Sequence, residues 1–267
     1  CGIRDPMTGP DLVLAKITKR FGGLIAVSDL SLAVSPGSIH GLIGPNGAGK
    51  STTIGLISGF IRPDAGSVAF GERDLTRLAP FAIAGLGVAR TFQQAAPLAG
   101  LTVYENVLVG MHMRYRSGLG AVLLQMPGVA RESRAIAGSA GELLDAFGLA
   151  PLAQTDAKLL TFGQLRFLEI ARTIASTPKI LLLDEPAAGL NQAERDRLAA
   201  LIRGFRDRGI GVLLVDHDVP FVFDLCDRMT VMNFGSVIAA GDPDQVRRDP
   251  IVRDAYLGAE AEGEAAT

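Results

Sequence analysis

Gly44-Pro45-Asn46-Gly47-Ala48-Gly49-Lys50-Ser51 is the stretch on which the reading of this chain turns. It has the pattern G-x-x-x-x-G-K-[ST], and its flanks give the pattern meaning. Ile39–Ile43 before it is a short apolar strand, and Lys50–Ser58 after it reads as a helix stopped by Gly59. Glycines let backbone N–H groups approach phosphate oxygens without a side-chain clash. A helix beginning at Lys50 aims its positive end at the same phosphates. Lys50 adds a full charge to the β- and γ-phosphates, and Ser51 offers its hydroxyl to Mg²⁺. The bland alternative is a Gly-rich turn before a helix, but strand, loop and helix in this order are what phosphate binding requires.

Working outward, Ile180-Leu181-Leu182-Leu183-Asp184-Glu185 is an apolar strand that ends in two carboxylates. A buried central strand explains the leucines. It does not explain adjacent acids at the carboxyl end of a strand, where open α/β sheets bind ligands. The expectation is that Asp184 holds Mg²⁺ through water and Glu185 polarises the attacking water as general base. His217 follows a second apolar strand, Gly211–Val215, between Asp216 and Asp218. It either begins the next helix or contacts a γ-phosphate. Leu160-Thr161-Phe162-Gly163-Gln164 sits before a helix read as Leu165–Ser176. A helix N-terminus beside a hydroxyl and a glycine is another phosphate site. One phosphate loop already cradles its own phosphates, so the second site is expected to serve another molecule.

The rest of the chain frames these motifs. Leu12–Thr18 and Leu30–Val34 alternate apolar and polar residues like half-buried antiparallel strands, and Pro63–Gly66 is a turn before a strand at Ser67–Phe70. From Thr91 to Gly163 strand signals vanish, and helical spacing appears in Val103–Met113 and Ser139–Phe147. Ser117–Val129, Gly-rich and apolar, receives no assigned element. Alternation resumes with Ile180–Asp184, Gln192–Arg208, Gly211–Asp216 and Val219–Cys226, which implies a parallel sheet faced by helices. Short strands follow at Arg228–Phe234 and Val237–Ala240, and Pro250–Leu257 reads as a last helix ended by Gly258.

Composition narrows the classes. Of 267 residues, 48% are hydrophobic and 20% charged, which suits a globular core rather than disorder. A net charge of −2 supplies no basic field for nucleic acid. Cys1 and Cys226 cannot build a disulfide framework or a four-ligand zinc site, and a reduced, cytoplasmic setting is expected. His40, His112 and His217 leave little for a His-based metal site. Uncharged stretches such as Leu30–Gly49 are interrupted by Gly and Pro, so none spans a bilayer, and any work at a membrane is expected to run through partners. Cys1–Pro6 lacks the features of a signal peptide and reads as a cloning remnant before Met7. Residues 1–9 are therefore expected to be a tag remnant and disordered start, and residues 259–267 a flexible tail.

Together these residues resemble the ATP-binding subunit of an ABC transporter, over essentially all of residues 10–258. Leu160–Gln164 is similar to the family signature Leu-Ser-Gly-Gly-Gln, with Thr161 for Ser and Phe162 for the first Gly. Thr91-Phe92-Gln93 matches the Gln loop, which implies that Gln93 contacts Mg²⁺ and water and links to the membrane partner. Ala188-Gly189-Leu190-Asn191 resembles the D-loop, with Asn191 where Asp is usual. His217 matches the switch histidine, and Phe21 lies where an aromatic, usually Tyr, stacks on adenine. The competing reading of Phe21 is a core aromatic at a strand end.

The resemblance implies a P-loop NTPase (RecA-like) α/β core with an antiparallel β subdomain and a helical subdomain inserted at about 91–165. It implies ATP and Mg²⁺ held by Gly44–Thr52, with Thr161, Phe162, Gly163 and Gln164 reaching the ATP of a second subunit, self or paralogue. Permease subunits, and through them a periplasmic or extracellular binding protein, are the implied partners, at the cytoplasmic face of the membrane. Gly44–Thr52, Thr91–Gln93, Glu185–Asn191, Ala255–Gly258 and the long Met111–Ala140 insertion look most like ATPases of branched-chain amino-acid importers. A urea or amide importer, a lipopolysaccharide export system, a soluble ABC ATPase and a non-hydrolysing regulator stand as alternatives. Repair-type coiled coils and a second cassette are missing from the sequence, and Glu185 argues against the regulator.

Overall fold

The alternation near the N-terminus builds a long hairpin. A computed structural model describes residues 9–91, 97–98, 100–112 and 127–255. In it β1 (Leu12–Phe21) runs antiparallel to β2 (Leu24–Val34), with Phe21 opposite Leu24 at the turn. Both strands are longer than Leu12–Thr18 and Leu30–Val34. Past Thr18 the β1–β2 register shifts again between Ile17 and Lys19 and between Lys19 and Arg20, and just before Leu30 Asp29 stands at φ 50°, so the alternation on which the shorter limits rested fails at both places. β4 (Ala65–Phe70) pairs with the other edge of β1 and carries the two-residue β5 (Arg73–Asp74). The expected turn at Pro63–Gly66 is therefore shorter, because Ala65 and Gly66 already belong to β4.

A second sheet has the order β10 (Ser236–Gly241), β9 (Arg228–Asn233), β3 (Ile39–Ile43), β8 (Gly211–Val215), β7 (Ile180–Asp184), β6 (Val88–Arg90). Its pairings are parallel except at the antiparallel β10 edge. Every residue of β3, β7 and β8 is buried, which is why these strands are mostly apolar, with His40 inside β3 and Asp184 at the end of β7 as the polar exceptions. Leu42 and Asp184 both lie opposite Val215, so Gly44, Glu185 and Asp216 leave the sheet along one edge. That is the carboxyl edge, where α/β sheets hold ligands.

These strands belong to one compact unit, residues 1–90, 179–188 and 195–267. It also holds α1 (Lys50–Ile57) and α2 (Pro80–Gly85). His40, on β3, is a structural histidine: its Nε2 lies 2.9 Å from Thr230 Oγ1, and burial pulls its pKa down to about 4.

The second unit comprises residues 91–178 and 189–194. Among the described residues its α-helices are α3 (Val103–Gly110), α4 (Pro127–Ala146) and α5 (Phe162–Ile174). A Cβ at Gly110 would strike the Arg172 carbonyl, so α3 and α5 approach closely, and Phe147 meets Phe167 edge to face at 6.4 Å. This packing carries the unit to Pro178, beyond the expected limit near 165. Helix α5 starts at Phe162 rather than Leu165. Thr161 is its N-cap, with Thr161 Oγ1 accepting from Gln164 N at 3.4 Å and Gln164 Oε1 accepting from Thr161 N at 2.9 Å. This reciprocal capping box draws Phe162, Gly163 and Gln164 into the first turn.

Further along the described residues come α6 (Gln192–Asp207), α7 (Val219–Leu225) and α8 (Pro243–Arg248). Residues 250–255 are helical as well. Residues 1–8, 113–126 and 256–267 lie outside the described residues, and with them the expected N-terminal remnant, most of Ser117–Val129 and the flexible tail. Among the described residues no helix is long and apolar enough to cross a membrane.

Candidate functional site

Buried β3 delivers the chain to Gly44, and α1 begins at Lys50. Gly49 is the N-cap at φ 102°, and a Cβ there would strike the carbonyl of Ala26. Only glycine meets both conditions at low cost. The β9–β10 turn fastens the loop from outside, with Gly235 N donating to Ala48 O at 3.1 Å. Asn46 and Gly47 face solvent. Lys50 is buried, and its Nζ donates to Gly44 O at 2.7 Å and Pro45 O at 2.9 Å. Its ammonium thus sits inside the curve of the loop. Burial lowers the Lys50 pKa, while the carboxylates of Glu185, Asp184 and Asp216 pull it back up. Ser51 is exposed and Thr52 half-buried in the same first turn.

Asp184 ends β7 with its side chain fully buried and ion-paired to Arg90 at 3.1 Å. Burial raises its pKa, and the Arg90 charge and hydrogen bond oppose that rise. Arg90 was not legible beforehand. It joins Asp184 only because β6 pairs with β7, and no local pattern marks a lone arginine. The Ser51 hydroxyl and the Asp184 carboxylate are hard oxygen donors of the kind Mg²⁺ takes together with substrate phosphates.

Glu185 has φ 48°, a left-handed conformation that costs a non-glycine residue ~1–3 kcal/mol unless its surroundings impose it. Its N–H donates to Val215 O at 2.7 Å, which holds the turn against the end of β8. His217 Nδ1 lies 3.9 Å from Glu185 Oε2 and 3.6 Å from Asp216 Oδ1. Asp216 is buried and accepts from Ala187 N at 3.1 Å and Asp218 N at 3.0 Å. It ties the loop after β7 to the loop after β8. Asp218 caps α7 and pairs with Arg195 at 2.7 Å. Asp216 entered the sequence reading only as a neighbour of His217. The usable signal was an acid at the end of an apolar strand, the same signal that marked Asp184.

Phe21, at the end of β1, is 49% exposed, which is not the environment of a core aromatic. Lys19 Nζ lies 5.4 Å from its ring centre. The first unit therefore gathers Gly44–Thr52, Asp184, Glu185 and His217 at one sheet edge, a cationic loop beside an acid and a histidine. Such a set can bind a polyphosphate and accept a proton beside it.

In the second unit Thr161, Phe162, Gly163 and Gln164 form the N-terminal end of α5. Gly163 is buried and Phe162 is 53% exposed. Gln93 lies outside the described residues.

Residues 27–188 match the family described as ABC transporter, and residues 236–262 match the family described as branched-chain amino acid ATP-binding cassette transporter. The chain is 41% identical over 253 residues to the high-affinity branched-chain amino acid transport ATP-binding protein LivG of Salmonella typhimurium, covering 94% of this chain and 99% of that protein. It is 35% identical to the lipopolysaccharide export system ATP-binding protein LptB of Haemophilus influenzae, covering 92% of this chain and 97% of that one. The crystal structure of the ADP conformation of MJ1267, an ATP-binding cassette of an ABC transporter, superposes with a TM-score of 0.80. It is 32% identical and covers 93% of this chain and 99% of that chain.

Proposed function

We propose, on the premise that this chain belongs to the ABC transporter family of ATP-hydrolysing subunits, that it powers uptake of branched-chain amino acids through separate membrane subunits. The LivG-type relationship along nearly the whole chain carries the substrate class. The lower identity to LptB makes lipopolysaccharide export the second reading.

In this reading the backbone of Gly44–Thr52 cradles the phosphates. Lys50 exchanges the carbonyls of Gly44 and Pro45 for β- and γ-phosphate oxygens. Ser51 and Asp184 hold Mg²⁺, which neutralises phosphate charge when bound. Glu185 accepts a proton from the water that attacks the γ-phosphorus, as the bond to the ADP oxygen breaks. His217, within reach of Glu185, contacts the γ-phosphate. Gln93 is assigned the remaining contact to Mg²⁺ and water and the link to the permease.

Thr161–Gln164 of a second copy or a paralogue close over the same ATP, and the pair works at the cytoplasmic face beneath permease subunits fed by a binding protein. In vesicles carrying the assembled complex, leucine-loaded binding protein is expected to raise ATP turnover several-fold. Stimulation by urea or an amide and not by leucine, isoleucine or valine would overturn the substrate class.

The half-exposed ring of Phe21 supports stacking on the base, an interaction worth ~1–3 kcal/mol by alanine substitution. Phe21→Ala should weaken ATP binding by about that amount with saturated turnover nearly intact, in a titration with fluorescent nucleotide. A lower melting temperature with unchanged affinity would return Phe21 to a packing role.

A further inference from the structure

We propose that Phe162 and Gly189 form a latch that joins the start of α5 to the segment following Glu185, which makes Phe162 a positioning residue for ATP turnover. The proposal rests on the reading of the chain as an ATPase. It concerns contacts within the second unit, where 162–163 and 189–194 both lie.

The first contact is steric. Gly189 has φ 75°, and a Cβ built there would lie 2.6 Å from Phe162 Cε1, 3.2 Å from Cδ1 and 3.3 Å from Cζ. The ring therefore rests on bare backbone, and the position needs glycine both for its conformation and for its missing side chain. The second contact is one residue along on α5. A Cβ at Gly163 would strike Glu194 Oε1. Glu194 is itself held, with its Oε2 accepting from Asn191 N at 3.0 Å and Asn191 Oδ1 accepting from Glu194 N at 3.0 Å. Asn191 thus acts as the cap of α6 in a reciprocal box. Two neighbouring residues of α5 meet the two ends of one short segment.

The ring is also backed from its own helix. The Arg166 guanidinium lies 5.8 Å from the Phe162 ring centre, and Arg166, buried, pairs with Glu169 at 3.0 Å. Phe162 is nevertheless 53% exposed, so its burial contributes little to a core. A half-exposed aromatic seated on a left-handed glycine is better explained by what it holds in place. Gly189 follows Glu185 by four positions in the chain. Whatever α5 meets at its N-terminal turn is then passed, through ring and backbone, to the loop that carries the general base. In a head-to-tail pair this makes the signature of one subunit a lever on that subunit's own Glu185.

The latch reverses what the usual family signature would suggest for residue 162. Phe162→Tyr keeps the ring and should retain clearly more turnover than Phe162→Gly. Phe162→Gly supplies the common signature residue, yet should lower kcat by ~10–100-fold, since small misplacements of reacting groups have effects of that order. The KM for ATP should move less than about three-fold, and the melting temperature should stay close to wild type. Gly189→Ala drives a methyl into the ring and should show a similar loss. In the Phe162→Gly background the same alanine meets no ring, so its cost should shrink to that of the φ angle alone. Phe162→Gly with wild-type kcat and KM, or losses that simply multiply in the double variant, would overturn the latch while leaving the ATPase reading intact. Absence of turnover in the wild type would instead defeat that reading.

Discussion

Glu185→Gln is expected to bind ATP as the wild type does and to turn it over ~10²–10⁴-fold more slowly, the usual effect of losing a general base. The amide keeps the size and planarity of the carboxylate but cannot accept a proton from water. The backbone should tolerate the change. The left-handed φ of Glu185 is held by its N–H bond to Val215 O, not by its side chain. Neither Lys50, whose Nζ bonds lie within the phosphate loop, nor the Arg90–Asp184 pair depends on the Glu185 carboxylate for a direct bond. Binding and catalysis should therefore separate. With closure intact and cleavage stalled, the variant should accumulate an ATP-bound dimer visible by gel filtration. Turnover within a few-fold of wild type would remove Glu185 from the role of base and leave His217, 3.9 Å away, as the group to test next.

The strands that lead to the candidate site in the first unit were legible for a simple reason. β3, β7 and β8 are buried on both faces, so each is a short apolar run with no competing period, and the polar residues that end them stand out. Features set by distant partners were not legible. The register shifts around Lys19 and the left-handed Asp29 hide the far ends of β1 and β2, because residues out of alternation look like a strand end. Short elements such as β6 and α2 carry too few residues for a period to show. The Arg90–Asp184 pair joins residues from strands that are neighbours only in the folded sheet.

Other features are local. Thr161 and Gln164 have the spacing of a capping box, which would have started α5 at Phe162. Asn191 and Glu194 have the same spacing at the head of α6, where Asn191 serves as the cap. Nothing in the sequence foretold that Phe162 and Gly189 touch, since each is explicable alone, as a signature variant and as a turn glycine.

Pairing two damaged chains should restore part of what each has lost. In the proposed two-fold dimer each ATP would lie between Lys50 of one subunit and Thr161–Gly163 of its partner, and by symmetry, if residue i of one chain meets j of the other, j meets i. Lys50→Ala removes a charged phosphate contact worth ~1.5–3 kcal/mol or more. Gly163→Asp places a carboxylate toward the γ-phosphate and a Cβ against Glu194, so charge and sterics both oppose closure. Either homodimer has both sites damaged and should be inactive. In a mixed dimer both lesions fall on one ATP-binding site, and the other keeps an intact phosphate loop and an intact signature, its turnover lowered only by what the Gly163–Glu194 clash passes to the Glu185 of the same chain. Random pairing of equal amounts makes roughly half the dimers mixed, and independent sites would then give at most roughly a quarter of wild-type turnover. The recovered site uses the phosphate loop of the Gly163→Asp chain, so recovery also shows that this chain is folded.

Trapped nucleotide reads the shared site without requiring both sites to fire. With Glu185→Gln in every chain, bound ATP is counted per dimer after rapid desalting. About two ATP are expected for the Glu185→Gln parent, about one for the mixed dimer and essentially none for either damaged homodimer. A Gly163→Asp homodimer that traps about two ATP as readily as the parent would mean that the N-terminal turn of α5 does not complete the partner's site, and would contradict ATP held between two copies of this chain.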